Sequence, residues 1–170
     1  MFRAVLEANP LALKGLICSM LHLNPEDIYS ITIKNPFMLG ESVSEKDSIM
    51  DIRVFLNNQT YLNLEMQLAL EAFWPDRSLT YLCKSFLNLA KGEPYSKIRP
   101  AIHIGFLDYD LFPDNPEFYA TYHLANDTTH QIYTRKFTLS VLSLNQTELA
   151  TEDDKKYGID YWAKLFKATT

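Results

Sequence analysis

Ser48-Ile49-Met50-Asp51-Ile52-Arg53-Val54-Phe55-Leu56-Asn57-Asn58-Gln59-Thr60-Tyr61-Leu62-Asn63-Leu64-Glu65-Met66-Gln67 is two alternating runs joined by an asparagine-rich turn. In the first run Met50, Ile52, Val54 and Leu56 fall on one side, with Ile49, Asp51, Arg53 and Phe55 on the other. In the second, Leu62, Leu64 and Met66 oppose Tyr61, Asn63, Glu65 and Gln67. A period of two is the signature of a strand. Asparagine tolerates the positive φ that a tight turn needs, so the segment is predicted to be a hairpin turning at 57–59. Leu56 then faces Thr60, and counting back along both strands sets Asp51 opposite Glu65, with Cβ atoms roughly 5 Å apart. Gln67 shares their face.

The flanking sequence supplies the rest of a layered α/β fold. Phe2 to Leu23 has helical spacing, with Leu6, Leu13, Leu16, Ile17, Met20 and Leu21 as its apolar positions and Pro10 as a kink or a second start. Ile28 to Lys34 alternates and reads as a strand stopped by Asn35-Pro36, and Phe37 to Asp47 reads as an acidic loop. After Trp74-Pro75-Asp76 a helix is predicted from about Ser78 to Lys91, closed by Gly92, with Leu79, Leu82, Cys83, Phe86 and Ala90 buried. Its polar stripe is Arg77, Lys84 and Lys91, a set that on a helix's outer face is ordinarily solvated. Arg99 to Phe106 is a continuous apolar run, as in a central strand. Two more strands are predicted at Phe118–Leu124 and Phe137–Leu144, and Glu152-Asp153-Asp154 opens a last amphipathic helix through Phe166. Trp74 and Trp162 read as packing anchors.

The chain has 170 residues, 47% of them hydrophobic and 22% charged, which is ordinary for a folded protein and excludes disorder. The net charge of −5 argues against a general binder of nucleic acid or anionic membrane. The charge is unevenly spread, however. Residues 1–76 hold five basic and ten acidic side chains, whereas 77–99 hold five and one. The only positive segment therefore follows Glu65 and Gln67 directly. Two cysteines, Cys18 and Cys83, lie far apart in apolar patterns, so both are expected to be buried in a reducing compartment. No stretch approaches the roughly 20 apolar residues of a membrane span, and a cytoplasmic location is expected. His22, His103, His123 and His130 are scattered without zinc-ligand spacing, and His103 reads as a core histidine.

Facing carboxylates repel each other. A divalent cation between them removes the repulsion, and hard oxygen donors suit Mg²⁺ or Mn²⁺. The Gln67 amide could orient a water or touch a phosphate oxygen. On spacing alone, Asp51, Glu65 and Gln67 read more readily as the wet face of an exposed hairpin.

A wider likeness shifts that balance. Ile49-Met50-Asp51 with Asn63-Leu64-Glu65-Met66-Gln67 resembles the signature of the PD-(D/E)XK nuclease family transposases, the recombination-promoting nuclease family. The likeness runs on through Trp74-Pro75-Asp76-Arg77-Ser78, Lys91-Gly92-Glu93-Pro94-Tyr95, Pro100-Ala101-Ile102-His103-Ile104 and Glu148-Leu149-Ala150-Thr151 to Trp162-Ala163-Lys164-Leu165-Phe166. It implies an α/β fold with an αβββαβ core, a central mixed sheet flanked by helices, and hydrolysis of DNA phosphodiesters with Mg²⁺, or Mn²⁺ or Ca²⁺ in its place. By position it implies Asp51 and Glu65 as metal ligands, the Met66 carbonyl completing the shell, and Gln67 where the superfamily has Lys. The residue before Asp51 is Met50, so the Pro of the signature is missing. Glu7, the one carboxylate in residues 1–25, would be the first-helix acid that many of these nucleases use. Arg77, Lys84 and Lys91 would contact DNA. Family members run on beyond the last helix, so 1–170 would be one nuclease-like domain at the front of a longer protein. A homodimer would let two sites cut two strands. The alternative is a catalytically weak or inactive nuclease-fold module that binds nucleic acid or a protein partner; Gln67 favours it.

Overall fold

A computed structural model describes residues 2–34 and 51–168, with Asp51 by its backbone alone. The acidic loop predicted over 37–47 and the start of the hairpin at 48–50 lie outside the described residues.

Helix α1 (Phe2–Ala8) and helix α2 (Pro10–Leu21) meet at an angle of 111°. Asn9 makes the break, because its side chain accepts a hydrogen bond from Ala12 N at 3.1 Å while Pro10, lacking an N–H, occupies the first helical position. Strands β1 (Ile31–Lys34), β2 (Asp51–Leu56) and β3 (Thr60–Gln67) follow, then helix α3 (Trp74–Phe86) and strand β4 (Ala101–Leu107). That order is the αβββαβ core. Strands β5 (Tyr119–His123) and β6 (Phe137–Ser143) extend the sheet, and helices α4 (Glu152–Lys156) and α5 (Ile159–Ala168) complete the described chain. No single helix among the described residues is long and apolar enough to cross a membrane.

The sheet runs β1-β2-β3-β4-β6-β5. Its first three strands are antiparallel; β3, β4 and β6 are mutually parallel; β5 returns antiparallel at the far edge. Asn57 and Asn58 turn the hairpin with φ of 51° and 54°, and the register is the expected one, Leu56 opposite Thr60 and Asp51 opposite Glu65. Asn57 also ties the turn down. Its amide donates to Asp27 O at 2.7 Å, and its Oδ1 accepts from Tyr29 N and Ser30 N.

Over β2, β3 and β4 one face of the sheet is apolar, with Ser140 and Thr138 of β6 the buried polar residues beside it. Ile52, Val54, Leu62, Leu64, Met66, Ile104, Phe106 and Leu142 join Leu13, Leu16 and Ile17 of α2 and Ile159 and Phe166 of α5 in a single buried cluster. The Phe2, Phe106 and Phe166 rings meet at centroid distances of 5.2–5.4 Å. Helix α5 is pinned by Trp162 Nε1 donating to Ser19 Oγ at 3.1 Å and by Lys167 reaching Asp108 and Asn145.

Three expectations need correction. Helix α3 starts at Trp74, because Pro75 fits a first turn, and it ends at Phe86; Lys91-Gly92 belongs to a separate turn, with Gly92 at φ +87°. Its buried line is Trp74, Ser78 and Leu82, whereas Leu79 is 44% exposed and Cys83 is exposed, so only Cys18 of the two free thiols is buried. The last helical stretch is two helices, split where Gly158 takes φ +70°.

Candidate active site

The other face of the sheet lies under α3 and has a polar centre on β3 and β4, beside a small buried apolar cluster of Trp74, Leu107 and Val141. Asn63 and Glu65 of β3 and His103 of β4 each have 0% exposure. The register lines them up: Asp51, Glu65, Gly105 and Val141 share one rung, and Arg53, Asn63, His103 and Leu139 the next. Gly105 is what lets α3 come close. A Cβ at this position would lie 2.2 Å from Trp74 Cζ2, deep inside contact distance, so any side chain there would displace the buried indole.

The approach of α3 brings Arg77, in its first turn, onto Glu65, with Nε donating to Oε1 at 2.8 Å. The other carboxylate oxygen, Oε2, faces His103 Nε2 at 3.6 Å, while His103 Nδ1 accepts from the Asn63 amide at 2.9 Å. Burial, reinforced by the Arg77 and Arg53 charges, pulls His103 down to a pKa of about 3. The imidazole is therefore neutral near pH 7 and meets Glu65 as a dipole, not as an ion pair. Around this pair Tyr81 forms a hub. The Arg53 and Arg77 guanidinium carbons lie 5.7 and 5.2 Å from its ring centroid, Lys84 Nζ lies at 5.7 Å, and the His103 ring stacks on it at 6.3 Å.

The structure brings together only part of the residue set read from sequence. Glu65 and the Asp51 backbone share a rung, and Arg77 joins them from α3, with Lys84 two turns along the helix beside Tyr81. Gln67 is half-buried two residues along, its amide donating to Ala69 O at 3.1 Å. Met66 turns its side chain into the apolar core, leaving its main chain in the ladder between Glu65 and Gln67. Glu7 is engaged by Arg3 Nε at 2.8 Å on α1, which packs through Leu6 against the opposite face of the sheet. No described contact joins it to Glu65. Lys91 is exposed in the turn after α3. Sequence reasoning treated Arg77 and Lys84 as an outer, solvated stripe, yet they point inward. In the sequence His103 reads as a core residue; Arg53 and Asn63 fall on the face of the acids, but neither they nor Tyr81 read as part of the site. The alternation carried a usable signal, since Arg53 and Asn63 stand two residues from Asp51 and Glu65 on the same face. For His103 no local signal exists, because its place depends on the parallel pairing of β3 with β4.

The family model of the PD-(D/E)XK nuclease family transposases matches residues 2–170. The chain belongs to that family. No curated protein and no solved structure matches it. The six-strand mixed sheet flanked by helices agrees with a PD-(D/E)XK nuclease-like fold. Membership supports a nuclease or transposase type of function, a hydrolase acting on phosphodiester bonds with nucleic acid as its partner. PD-(D/E)XK nucleases generally use divalent metals. Asp51 and Glu65 stand on directly facing positions, and a carboxylate is the hard oxygen group that suits such an ion. Among the described residues no group of three or more His, Cys, Asp or Glu side chains converges on a metal position. Glu65 in particular is a fully buried carboxylate held by an arginine, an arrangement that is weak evidence for a purely stabilising role.

Proposed function

We propose that the chain is a metal-dependent DNA endonuclease. The observation that carries this reading is the shared rung of Asp51 and Glu65, with Glu65 buried and oriented by Arg77 on one oxygen and faced by His103 on the other. Asp51, Glu65 and the Met66 carbonyl would hold Mg²⁺ or Mn²⁺. A bound ion of this kind polarises a phosphoryl oxygen and lowers the pKa of a coordinated water. The protein's own part is positioning. Arg77 holds the Glu65 carboxylate through Oε1, and the Asn63–His103 pair backs its second oxygen without adding charge. Gln67, whose amide has only a local backbone acceptor, can turn to hydrogen-bond the attacking water or a phosphate oxygen but supplies no positive charge. Lys84 and Lys91 contact the flanking phosphates.

Plasmid cleavage with Mg²⁺ or Mn²⁺, comparing wild type with Asp51→Ala and Glu65→Ala, is the test. Each substitution is expected to reduce cleavage at least about a hundredfold, the scale of losing one well-placed electrostatic group. Equal cleavage by all three proteins sinks the mechanism. No cleavage by any of them supports a binding module instead, the reading that Gln67 in place of Lys favours.

A further inference from the structure

Four residues along both strands from the acid pair, on the same face, the hairpin carries a second cluster. Phe55 of β2 pairs with Tyr61 of β3, their ring centroids 4.7 Å apart. Two cations flank Phe55: Lys34 Nζ, from β1, lies 5.6 Å from the ring centroid and the Arg99 guanidinium carbon 4.9 Å. Lys34 and Arg99 are exposed, and both rings are half-exposed, because α3 packs over β3, β4 and β6 while β1 and β2 extend past it. Arg53 stands midway between this cluster and the Asp51–Glu65 rung. Lys34, Arg53, Arg77, Lys84 and Arg99, five of the chain's 16 basic side chains, thus gather on one side of one sheet in a protein of net charge −5.

We infer that Phe55 and Tyr61, flanked by Lys34 and Arg99, form a binding strip for an unpaired DNA strand that leads to the Asp51–Glu65 rung. The inference deepens the nucleolytic reading and rests on it for the direction of the strand. Four residues of β-strand span about 13 Å, or about four nucleotides at the ~3.4 Å spacing of stacked bases. Aromatic rings beside cations are the chemistry of single-strand binding: every base has a π-face to stack, and the cations take the phosphates. A blunt duplex offers no such faces along its length, so the strip selects a single strand, a flap or a splayed end. Lys34 and Arg99 are exposed beside the rings, Arg99 held there by Nη1 donating to Asn58 O at 2.7 Å, so both cations face the solvent that a phosphate would occupy.

The test is fluorescence anisotropy of a labelled oligothymidylate, with a blunt duplex of the same length as comparison, on the whole chain in EDTA so that no strand is cut. The oligothymidylate is expected to bind more tightly than the duplex, and Phe55→Ala to weaken it about tenfold. Lys34→Ala and Arg99→Ala should each lower the slope of log affinity against log salt by about 0.7. Wild-type affinity in all three variants, or equal affinity for duplex and single strand, overturns the strip. If Phe55→Ala does not fold, Phe55→Leu keeps the apolar volume, removes the flat ring and is read in the same way. The two readings fail separately. Phe55-dependent binding without any plasmid cleavage discards the nuclease and keeps the strip, whereas Asp51-dependent cleavage with Phe55-independent binding does the reverse.

Discussion

The two faces of the central sheet are built from the same strands and, around β3 and β4, are equally buried, yet they are opposites in energy. On the face under α1, α2 and α5, Leu62, Leu64, Ile104 and Phe106 are almost wholly removed from water among other hydrocarbon side chains. Each such burial contributes about 1.5–3 kcal/mol. Under α3 the alternate positions of the same strands are Asn63, Glu65 and His103, also without exposure. There burial costs: an ionised carboxylate loses several kcal/mol of hydration, about what a well-placed arginine returns. A chain selected only to fold would make both faces alike. The proposed nuclease chemistry would account for a buried polar centre that packing alone does not require.

The largest effect should come from the apolar face. Phe106→Ala removes a ring that touches both Phe2 and Phe166 and should cost about 4 kcal/mol in urea denaturation. A loss below about 1 kcal/mol would mean that this face is not the core.

The polar face should behave differently, and a pair of variants sharpens the contrast. Glu65→Ala removes the carboxylate that Arg77 Nε binds and should cost about 2 kcal/mol, whereas Glu65→Met with Arg77→Met should recover most of that loss. Cleavage should be lost in both proteins, which separates the stability of this face from its activity. A double variant as unstable as the single one would show that the ion pair supports the fold outright.

The smallest effect is one of pH, at the edge of the apolar side. Tyr119 donates to Met20 O at 2.7 Å, and burial pushes its pKa from 10 to about 12. Because the folded value is the higher one, its contribution is complete below pH 10 and is lost as pH rises from 10 toward 12. The slope is at most about 1.4 kcal/mol per pH unit. Tyr119→Phe should flatten the alkaline limb of a plot of urea midpoint against pH; an unchanged limb would remove Tyr119 from the account.

Much of the fold was legible because its signals are local. The alternation of 51–56 and 60–67, with Asn57 and Asn58 able to take positive φ, specified the hairpin and its register, and with them the Asp51–Glu65 rung. Pro10 marked the break between α1 and α2. The α3 region misled for a physical reason. Its apolar periodicity suggests a buried stripe of Leu79, Leu82, Cys83, Phe86 and Ala90. Leu82 is buried and Phe86 packs on Phe137, but the sheet face has a polar centre, so the helix turns Arg77 and Tyr81 inward and leaves Leu79, Cys83 and Ala90 in water. Helical periodicity reports which residues lie together. It does not report which side has a partner.

From sequence alone come the elements, the hairpin pairing, the facing acids and the family, because each is written in spacings of a few residues or in ordered short motifs along the chain. Tertiary structure alone decides that Glu65 is fully buried, that Arg77 and His103 face its two oxygens, and that Gly105 makes room for Trp74. Those contacts join β3 to α3 and β4, and β4 to α3, across 12–38 residues of chain, at distances set by how the helix docks on a parallel sheet. No short-range pattern encodes that docking.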